Sequence, residues 1–184
     1  MPQPRRLMFR ILAIVFSAAL FTQATGCCIT DTPRRYNIQI VMDKQLADTS
    51  VTVDIIGVNP NVAEMLSAKS VTDYFNVGDT TRTSVDKYSL RFSQDSPAVQ
   101  DLSSKNPIWE TWMQQGSTEL IIMANLLGDF QDQPGAADTR REVLPLSCKR
   151  WGTDTIQIRV LPGLIRTTTP IKSADANPIF GMAF

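Results

Sequence analysis

Ser84 and Lys87 have the spacing of a catalytic pair in which a lysine amine lies one helical turn from a serine hydroxyl and takes its proton. Here the motif precedes a predicted strand instead of opening a helix, and the companion Ser-Asp-Asn and Lys-Thr-Gly triplets are missing. The chain of 184 residues also contains no histidine, which excludes Ser-His-Asp and Cys-His hydrolases and most catalytic zinc sites. We therefore interpret the Ser-x-x-Lys spacing as a chance match.

A second candidate is the acidic loop that holds Asp129, Asp132 and Asp138. Calcium prefers six or more oxygen ligands, which carboxylates in one loop could supply. The three residues lack the regular Asp-x-Asp-x-Asp spacing that gathers oxygens around one point. We expect a solvated acidic loop without a metal ion.

Trp109 and Trp112 lie on one face of a short predicted helix, with Glu110 and Glu119 as the nearest acids. A carboxylate beside aromatic rings can protonate a glycosidic bond while the rings hold the sugar. The same rings could form a partner-binding surface, or could pack the helix onto a sheet. Packing is the expectation, with the partner-binding surface as the second interpretation.

The first 26 residues have the layout of a secretory signal. Three arginines precede an uncharged run at 11–21, and that run is too short for a membrane span, which takes about 20 residues. Small residues lead up to Cys27, which predicts cleavage after Gly26 and acylation of the Cys27 thiol. Plain secretion stays open, because Ala24 and Gly26 also satisfy an ordinary small-x-small cleavage site.

The residue after the acylated cysteine is Cys28 and not aspartate, which resembles enterobacterial lipoproteins sorted to the outer membrane. Cys28 and Cys148 are then an even pair in a compartment that permits disulfides. A Cys28–Cys148 bond would fix the N-terminal segment to the domain, while the alternative is an exposed Cys28 and a free, buried Cys148.

Removal of the signal leaves 15 basic against 18 acidic residues, a net charge of −3. Nucleic-acid binding needs a basic stripe, whereas Arg140-Arg141 and Lys149-Arg150 are isolated pairs along the chain. We predict no nucleic-acid partner and no cofactor.

Alternation of apolar and polar residues with period two predicts strands, and so does one nearly all-apolar run after a glycine stop. The predicted strands are 36–42, 50–58, 88–92, 120–127, 142–148 and 155–161. Asn-Pro pairs start two predicted helices at 60–70 and 106–116, since Asn caps a helix and Pro suits its first position. Residues 71–75 are ambiguous, and 78–85 and 94–106 are predicted loops.

Six strands and two short helices do not alternate as a parallel α/β fold would require. They predict a mainly β protein, a two-layer sandwich of the immunoglobulin-like or transthyretin-like kind with two short helical insertions. The predicted organisation is a lipoprotein signal at 1–26, a tether at 27–35, one domain at 36–165 and a flexible tail at 166–184.

These elements, in this order, resemble the outer-membrane lipoproteins of type VI secretion systems over roughly residues 36–161. The matching segments are 36–42, 50–58, 70–75, 120–126 followed by 128–130, Arg140 with 143–146, and 155–161. The resemblance implies a transthyretin-like sandwich without enzymatic activity, which tethers a membrane-spanning secretion complex to the outer membrane.

In that family the loop between the first two strands contacts the periplasmic domain of an inner-membrane partner. The matching segment here is 43–49, so the resemblance makes Asp43, Lys44, Gln45 and Leu46 candidate partner-binding residues.

We interpret the chain as a lipid-anchored, non-enzymatic binding or tethering module, facing the periplasm from the outer membrane. Two alternatives stay open: a small hydrolase of cell-wall glycans that uses carboxylates, and a carrier of a hydrophobic ligand. Two carboxylates about 5–10 Å apart in a pocket would support the hydrolase. A large apolar cavity would support the carrier, and a filled core with an exposed apolar patch would support the binding module.

Overall fold

The computed structural model describes residues 31–173, which form eight strands and four short helices. The strands are β1 (Asn37–Met42), β2 (Val51–Val58), β3 (Lys87–Phe92), β4 (Val99–Leu102), β5 (Glu119–Asn125), β6 (Arg141–Pro145), β7 (Thr155–Leu161) and β8 (Leu164–Thr167). The helices are α1 (Pro60–Ala68), α2 (Val71–Phe75), α3 (Thr80–Ser84) and α4 (Ile108–Gln114). Short 3₁₀ turns cover Lys44–Leu46 and Gly135–Ala137.

Two four-stranded sheets face each other, one in the order β4-β1-β7-β8 and the other in the order β3-β2-β5-β6. All neighbours run antiparallel except β1 and β7, which run parallel with Asn37 opposite Thr155 and Met42 opposite Val160. The mainly β two-layer sandwich predicted from the alternating pattern is therefore observed.

The core lies between the sheets and is made by alternate residues of the central strands. Ile38 and Ile40 of β1 meet Val53 and Ile55 of β2, and all four are fully buried. Because side chains of a strand alternate between faces, a shift of one residue in register would move this set to the outside. The period of the sequence thus fixes both the inner faces and the pairing.

Helix α4 closes one end of the sandwich with its two tryptophans. The rings of Trp109 and Trp112 meet edge to face at 5.1 Å, and both side chains are fully buried. Their indole N–H groups donate to the backbone carbonyls of Ser103 and Asp86, at 3.1 and 2.8 Å. The packing interpretation is correct, and a partner-binding surface made by these rings is wrong because neither ring reaches the surface.

The Trp112 ring packs on β2 at Gly57, a position without a side chain. A Cβ atom built at Gly57 would lie 2.3 Å from Cγ of Trp112. The ring therefore rests directly on the strand backbone, which brings α4 within packing distance of the core.

A second apolar cluster covers the outer face of the β3-β2-β5-β6 sheet. Ile56 and Val58 of β2 pack there with Leu66, Val71 and Tyr74 from helices α1 and α2. This outer layer explains why β5 reads as a nearly continuous apolar run, since both of its faces are covered.

Asp54 lies under this helical layer with a fully buried side chain. It accepts hydrogen bonds from Ser89 Oγ at 2.6 Å, Tyr74 OH at 3.1 Å and Arg82 Nε at 2.8 Å. Burial, together with the charge of Asp54, raises the pKa of Tyr74 and keeps its hydroxyl a donor. The carboxylate thus ties α2 and α3 to the sheet, because a buried charge is tolerated only when it is paired and hydrogen-bonded.

All six predicted strands and both predicted helices are present, with ends that differ by a few residues. The structure adds β4 inside the predicted loop 94–106, α3 inside the predicted loop 78–85, and α2 at the ambiguous segment 71–75. A short helix such as α3 is hard to predict from its Thr-rich sequence, but Asp79 caps it by accepting from the Arg82 N–H at 2.7 Å.

The predicted tail and tether need correction where the structure describes them. The boundary at 165 falls inside β8, and Ile171 pairs with Trp151 in an isolated bridge, so a flexible tail is wrong for 166–173. Likewise, Arg34 N–H donates to Leu146 O at 2.8 Å, so the segment just before β1 is tied to the domain. Residues 27–30 and 174–184 lie outside the described part.

Replacing Gly57 by alanine tests the packing of α4. The new methyl group would collide with the Trp112 ring, and overpacking of this kind costs about 1–3 kcal/mol. Urea denaturation of Gly57→Ala should show that loss, while Gly163→Ala, where a Cβ meets nothing within 4 Å, should stay within about 0.5 kcal/mol of wild type. Equal stabilities of the two variants would contradict this packing.

Candidate functional site: a groove at one end of the sandwich

The two ends of β1 define two poles of the domain. At its first residue lies the entry pole, which we define by residues 31–36, 147–154 and 171–172. At its last residue lies the groove pole, defined by residues 42–49 and 92–98. Six residues of strand separate the poles by about 20 Å, at roughly 3.3 Å per residue.

The β1–β2 loop forms one wall of the groove and contains the predicted partner-binding residues. Asp43 caps the 3₁₀ turn by accepting from the Gln45 N–H at 3.0 Å, and its own N–H donates to Val160 O at 2.9 Å. Thr49 closes the turn through hydrogen bonds from its N–H and its hydroxyl to Leu46 O, at 2.9 and 2.7 Å. The loop is therefore a fixed wall even though it is short.

The β3–β4 loop forms the opposite wall. Ser96 Oγ accepts from the Ser93 N–H at 2.7 Å, and the Ser96 N–H donates to Ser93 O at 3.0 Å. The N–H of Met42 donates to Ala98 O at 2.8 Å and joins this wall to the end of β1. Both walls are thus held by backbone hydrogen bonds to the sandwich.

Between these walls lies a groove of about 270 Å³. Its floor is apolar and consists of the buried side chains of Met42, Leu46 and Phe92. Ala47 and Ala98 line it closer to solvent and are exposed. An apolar floor between two fixed walls can accept a small apolar side chain from a partner.

The rim of the groove is polar and mostly acidic. Asp43 and Lys44 line the groove, and Asp48 and Asp95 lie in the two loops that form its walls, so these loops carry three negative charges against one positive charge. Such a rim excludes water from the floor once a partner is bound, and it favours a partner with basic residues around its apolar anchor.

Of the four predicted loop residues, three lie at the groove and one takes no part in its lining. Asp43 and Lys44 line it, Leu46 is 8 % exposed and belongs to its floor, and Gln45 is exposed beside it. The prediction that these residues bind a partner stays a prediction, but the structure places them on one side of one depression.

The remaining wall could not be identified from the sequence. Pro97 and Ala98 reach the groove because β4 pairs with β1, with Val99 opposite Val41, while Phe92 reaches it because β3 pairs with β2, with Phe92 opposite Val51. The one local signal was Pro97 after a serine-rich turn, which marks a loop without saying what it faces.

The Ser84–Lys87 spacing does not assemble a dyad. The hydroxyl of Ser84, at the end of α3, donates to Thr81 O at 3.0 Å, while the Lys87 amine, on β3, donates to Arg82 O at 2.5 Å. Each group is engaged by a backbone carbonyl, so neither activates the other.

The acidic loop binds an arginine of the same chain. Arg140 donates to Asp132 at 2.5 Å and to Asp138 at 2.8 Å, and its guanidinium lies 4.9 Å from the centre of the Phe130 ring. No group of three metal-ligating side chains occurs within residues 31–173. The expected solvated loop is wrong for Asp138, which is 2 % exposed and serves as a structural partner.

Cys148 is disulfide-bonded. The other two cysteines, Cys27 and Cys28, lie outside the described residues, so acylation of Cys27 and the Cys28–Cys148 pairing both stay predictions. Between residues 31 and 173, no helix has the length and apolar character that a membrane crossing requires.

Three solved structures resemble the chain in fold. The type VI secretion lipoprotein TssJ1 of Pseudomonas aeruginosa is 15 % identical, matches 78 % of this chain and 99 % of its own, and has a TM-score of 0.48. The C-terminal domain of the type VI secretion protein TssM from EAEC is 14 % identical, matches 72 % of this chain and 98 % of its own, and has a TM-score of 0.48. Lip of Serratia marcescens, a membrane-bound component of the type VI secretion system, is 12 % identical, matches 75 % of this chain and 99 % of its own, and has a TM-score of 0.46.

Scans against protein-family models and against curated proteins find no match. The structural likeness therefore concerns the β-sandwich alone. It assigns no role to this chain.

From the ion pairs of Arg140 with Asp132 and Asp138 we expect the folded protein to lose stability in acid. Burial alone would raise the pKa of Asp138, but the hydrogen bonds from Arg140 outweigh it and lower the pKa below its ordinary value. A carboxylate with a depressed folded-state pKa stabilises the fold above its unfolded-state pKa, and this contribution is lost as the pH falls through the folded-state pKa.

Urea denaturation of wild type and Asp138→Asn at neutral pH and at about pH 3 measures this contribution. Wild type should lose more of its free energy of unfolding on acidification than the variant, because the variant has no carboxylate to protonate at this position. At neutral pH the variant should be less stable by about 1–3 kcal/mol. Equal losses on acidification would show that Asp138 is not stabilised by Arg140.

Proposed function

We propose that this protein is a lipid-anchored envelope module without enzymatic activity, acting in the assembly of a secretion system, and that it binds its protein partner at the groove pole. The observation that carries the proposal is the groove itself. The loop 43–49, selected from the sequence by resemblance to type VI secretion lipoproteins, forms one wall of an apolar depression with a polar rim.

The direction of β1 supports a tethering role. The described chain starts at the entry pole, so an acyl group on Cys27 would attach the domain to the membrane from that side. The groove then lies about 20 Å away, at the other end of the strand. Attachment in this geometry keeps the groove accessible and raises its local concentration near partners in the same envelope.

The carrier alternative receives less support from the interior of the sandwich. A carried ligand would need a cavity between the sheets, and this space is occupied by buried side chains such as Trp109, Trp112 and Ile122. The groove, of about 270 Å³, opens at the surface and does not lie between the sheets.

The hydrolase alternative needs two carboxylates facing one pocket. Glu110 is exposed on α4 and Glu119 starts β5, while the described part of the chain lines the groove with one carboxylate, Asp43. Neither tryptophan ring could hold a sugar beside these glutamates, since both rings are buried in the core. We therefore retain the binding module.

Complementation of secretion in a host lacking this gene tests the proposal. Filling the groove with Ala47→Gln/Ala98→Gln should abolish secretion by blocking the apolar floor without changing the charge. The matched control Ala136→Gln/Ala137→Gln adds the same groups at exposed positions that do not line the groove, and it should restore secretion as wild type does.

Cys27→Ala is the companion variant in the same assay. It should fail to complement and should leave the membrane fraction, because the acceptor thiol is lost. Full secretion by the groove-filled variant would overturn the partner site, and full secretion by an unacylated protein would overturn the tether.

A further inference from the structure

Five cationic side chains come together at the entry pole although the chain as a whole is acidic. We call this surface the cationic patch, and its members are Arg34, Arg35, Lys149, Arg150 and Lys172. They come from three segments that are far apart in sequence, and the fold alone unites them.

Backbone hydrogen bonds place these segments side by side. Cys148 N–H donates to Thr32 O at 3.1 Å, which joins the second segment to the first. Lys172 N–H donates to Arg150 O at 2.8 Å, which joins the third segment to the second. The isolated bridge between Trp151 and Ile171 continues this pairing, so the patch is a fixed surface.

The patch carries an excess of positive charge. Two carboxylates accompany the five cations: Asp154 pairs with Arg34 at 2.7 Å, and Asp31 accepts a hydrogen bond from Ser147. Within residues 31–173, the exposed side chains of Arg35, Lys149 and Lys172 have no carboxylate partner. Three uncompensated charges therefore face solvent, on a chain whose net charge without its first 26 residues is −3.

We propose that the cationic patch is a membrane-facing surface that binds the phosphate-bearing headgroups of anionic phospholipids. Charge complementarity favours this partner, since clustered Lys and Arg next to a membrane anchor bind anionic lipid. Ile171, which is 42 % exposed beside the patch, offers an apolar side chain to the interface.

The place where the described chain starts favours the same partner. Asp31 lies at this pole, so the segment that carries Cys27 joins the domain next to the patch. The inference rests on the envelope location in the proposed function and adds an orientation. The entry pole faces the bilayer, and the acidic rim with Asp43, Asp48 and Asp95 faces away from it.

Vesicle binding of the chain from residue 27 onward, without the signal and its three arginines, tests the inference without acylation. The parent carries Cys27→Ala, so that its binding has no acyl contribution and all variants share the same N-terminal residues. Binding is measured at low salt with vesicles of phosphatidylglycerol and phosphatidylcholine at about 3:7, and with vesicles of phosphatidylcholine alone.

The patch variant is Arg35→Gln/Lys149→Gln/Lys172→Gln. Each lost cation should weaken binding to anionic vesicles about fivefold, hence about a hundredfold in all. The difference should disappear in about 0.5 M NaCl, where charges are screened within a few ångströms. Lys149→Arg/Lys172→Arg keeps both charges and should bind as the parent does.

The matched control Arg91→Gln/Arg159→Gln/Arg166→Gln removes three exposed cations elsewhere and should stay within about twofold of the parent. Equal weakening in both triple variants would show a general charge effect and overturn the patch. Equal affinity of the parent for anionic and neutral vesicles would also overturn it. Failure of the proposed function appears separately, as loss of membrane attachment by the wild-type chain with an intact Cys27.

Discussion

The central place of β1 in its sheet is the constraint on which the rest of the structure depends. The strand lies between β4 and β7 and is parallel to β7, and its inward residues Ile38 and Ile40 are fully buried. Because a strand buried in this way cannot slip by one residue without exposing its apolar face, both of its ends are fixed in space. One end receives the N-terminal segment and the other opens into the groove. Six residues of alternating sequence thus separate the side where the N-terminal segment enters from the side where the groove opens.

Buried charges in the helical layer do structural work. Asp54 gathers Tyr74, Arg82 and Ser89, and Arg140 binds both Asp132 and Asp138. Arg141, which is 2 % exposed, donates to the carbonyls of Ser67, Lys69 and Gly135 and has no carboxylate partner within residues 31–173, and burial lowers its pKa. In the sequence these acids and arginines look like candidates for a reactive site, because the acids cluster and the basic residues come in pairs. In the fold they fasten α1, α2 and the acidic loop to the outer face of the sheet. Hydrogen bonds between buried charges are directional, so they fix the positions of these segments more closely than apolar contacts do.

The sequence predicted the elements that have strong periodicity and missed those that depend on tertiary pairing. Strands such as β2 and β7 follow from alternation, and α1 and α4 from their Asn-Pro starts. By contrast, β4 (Val99–Leu102) and β8 (Leu164–Thr167) have four residues each, too few for a period, and they form because a neighbouring strand offers hydrogen bonds. The loop 43–49, which forms one wall of the groove, was predicted through the family resemblance, but Ala98 reaches the groove only through the pairing of β4 with β1, and Phe92 through the pairing of β3 with β2. The cationic patch was invisible for the same reason, since Lys149-Arg150 reads as an isolated pair until Arg35 and Lys172 are folded beside it.

The two proposals combine into one account of the domain: a cationic side held at the bilayer and an apolar groove presented to a protein. Photo-crosslinking in native cells tests this polarity most directly, with a photoreactive residue placed either at Ala98 in the groove or at Lys149 in the patch. The account predicts that the probe at position 98 forms an adduct with a protein, and that the probe at position 149 forms an adduct with phospholipid. Lipid adducts from the groove, or protein adducts alone from the patch, would contradict it.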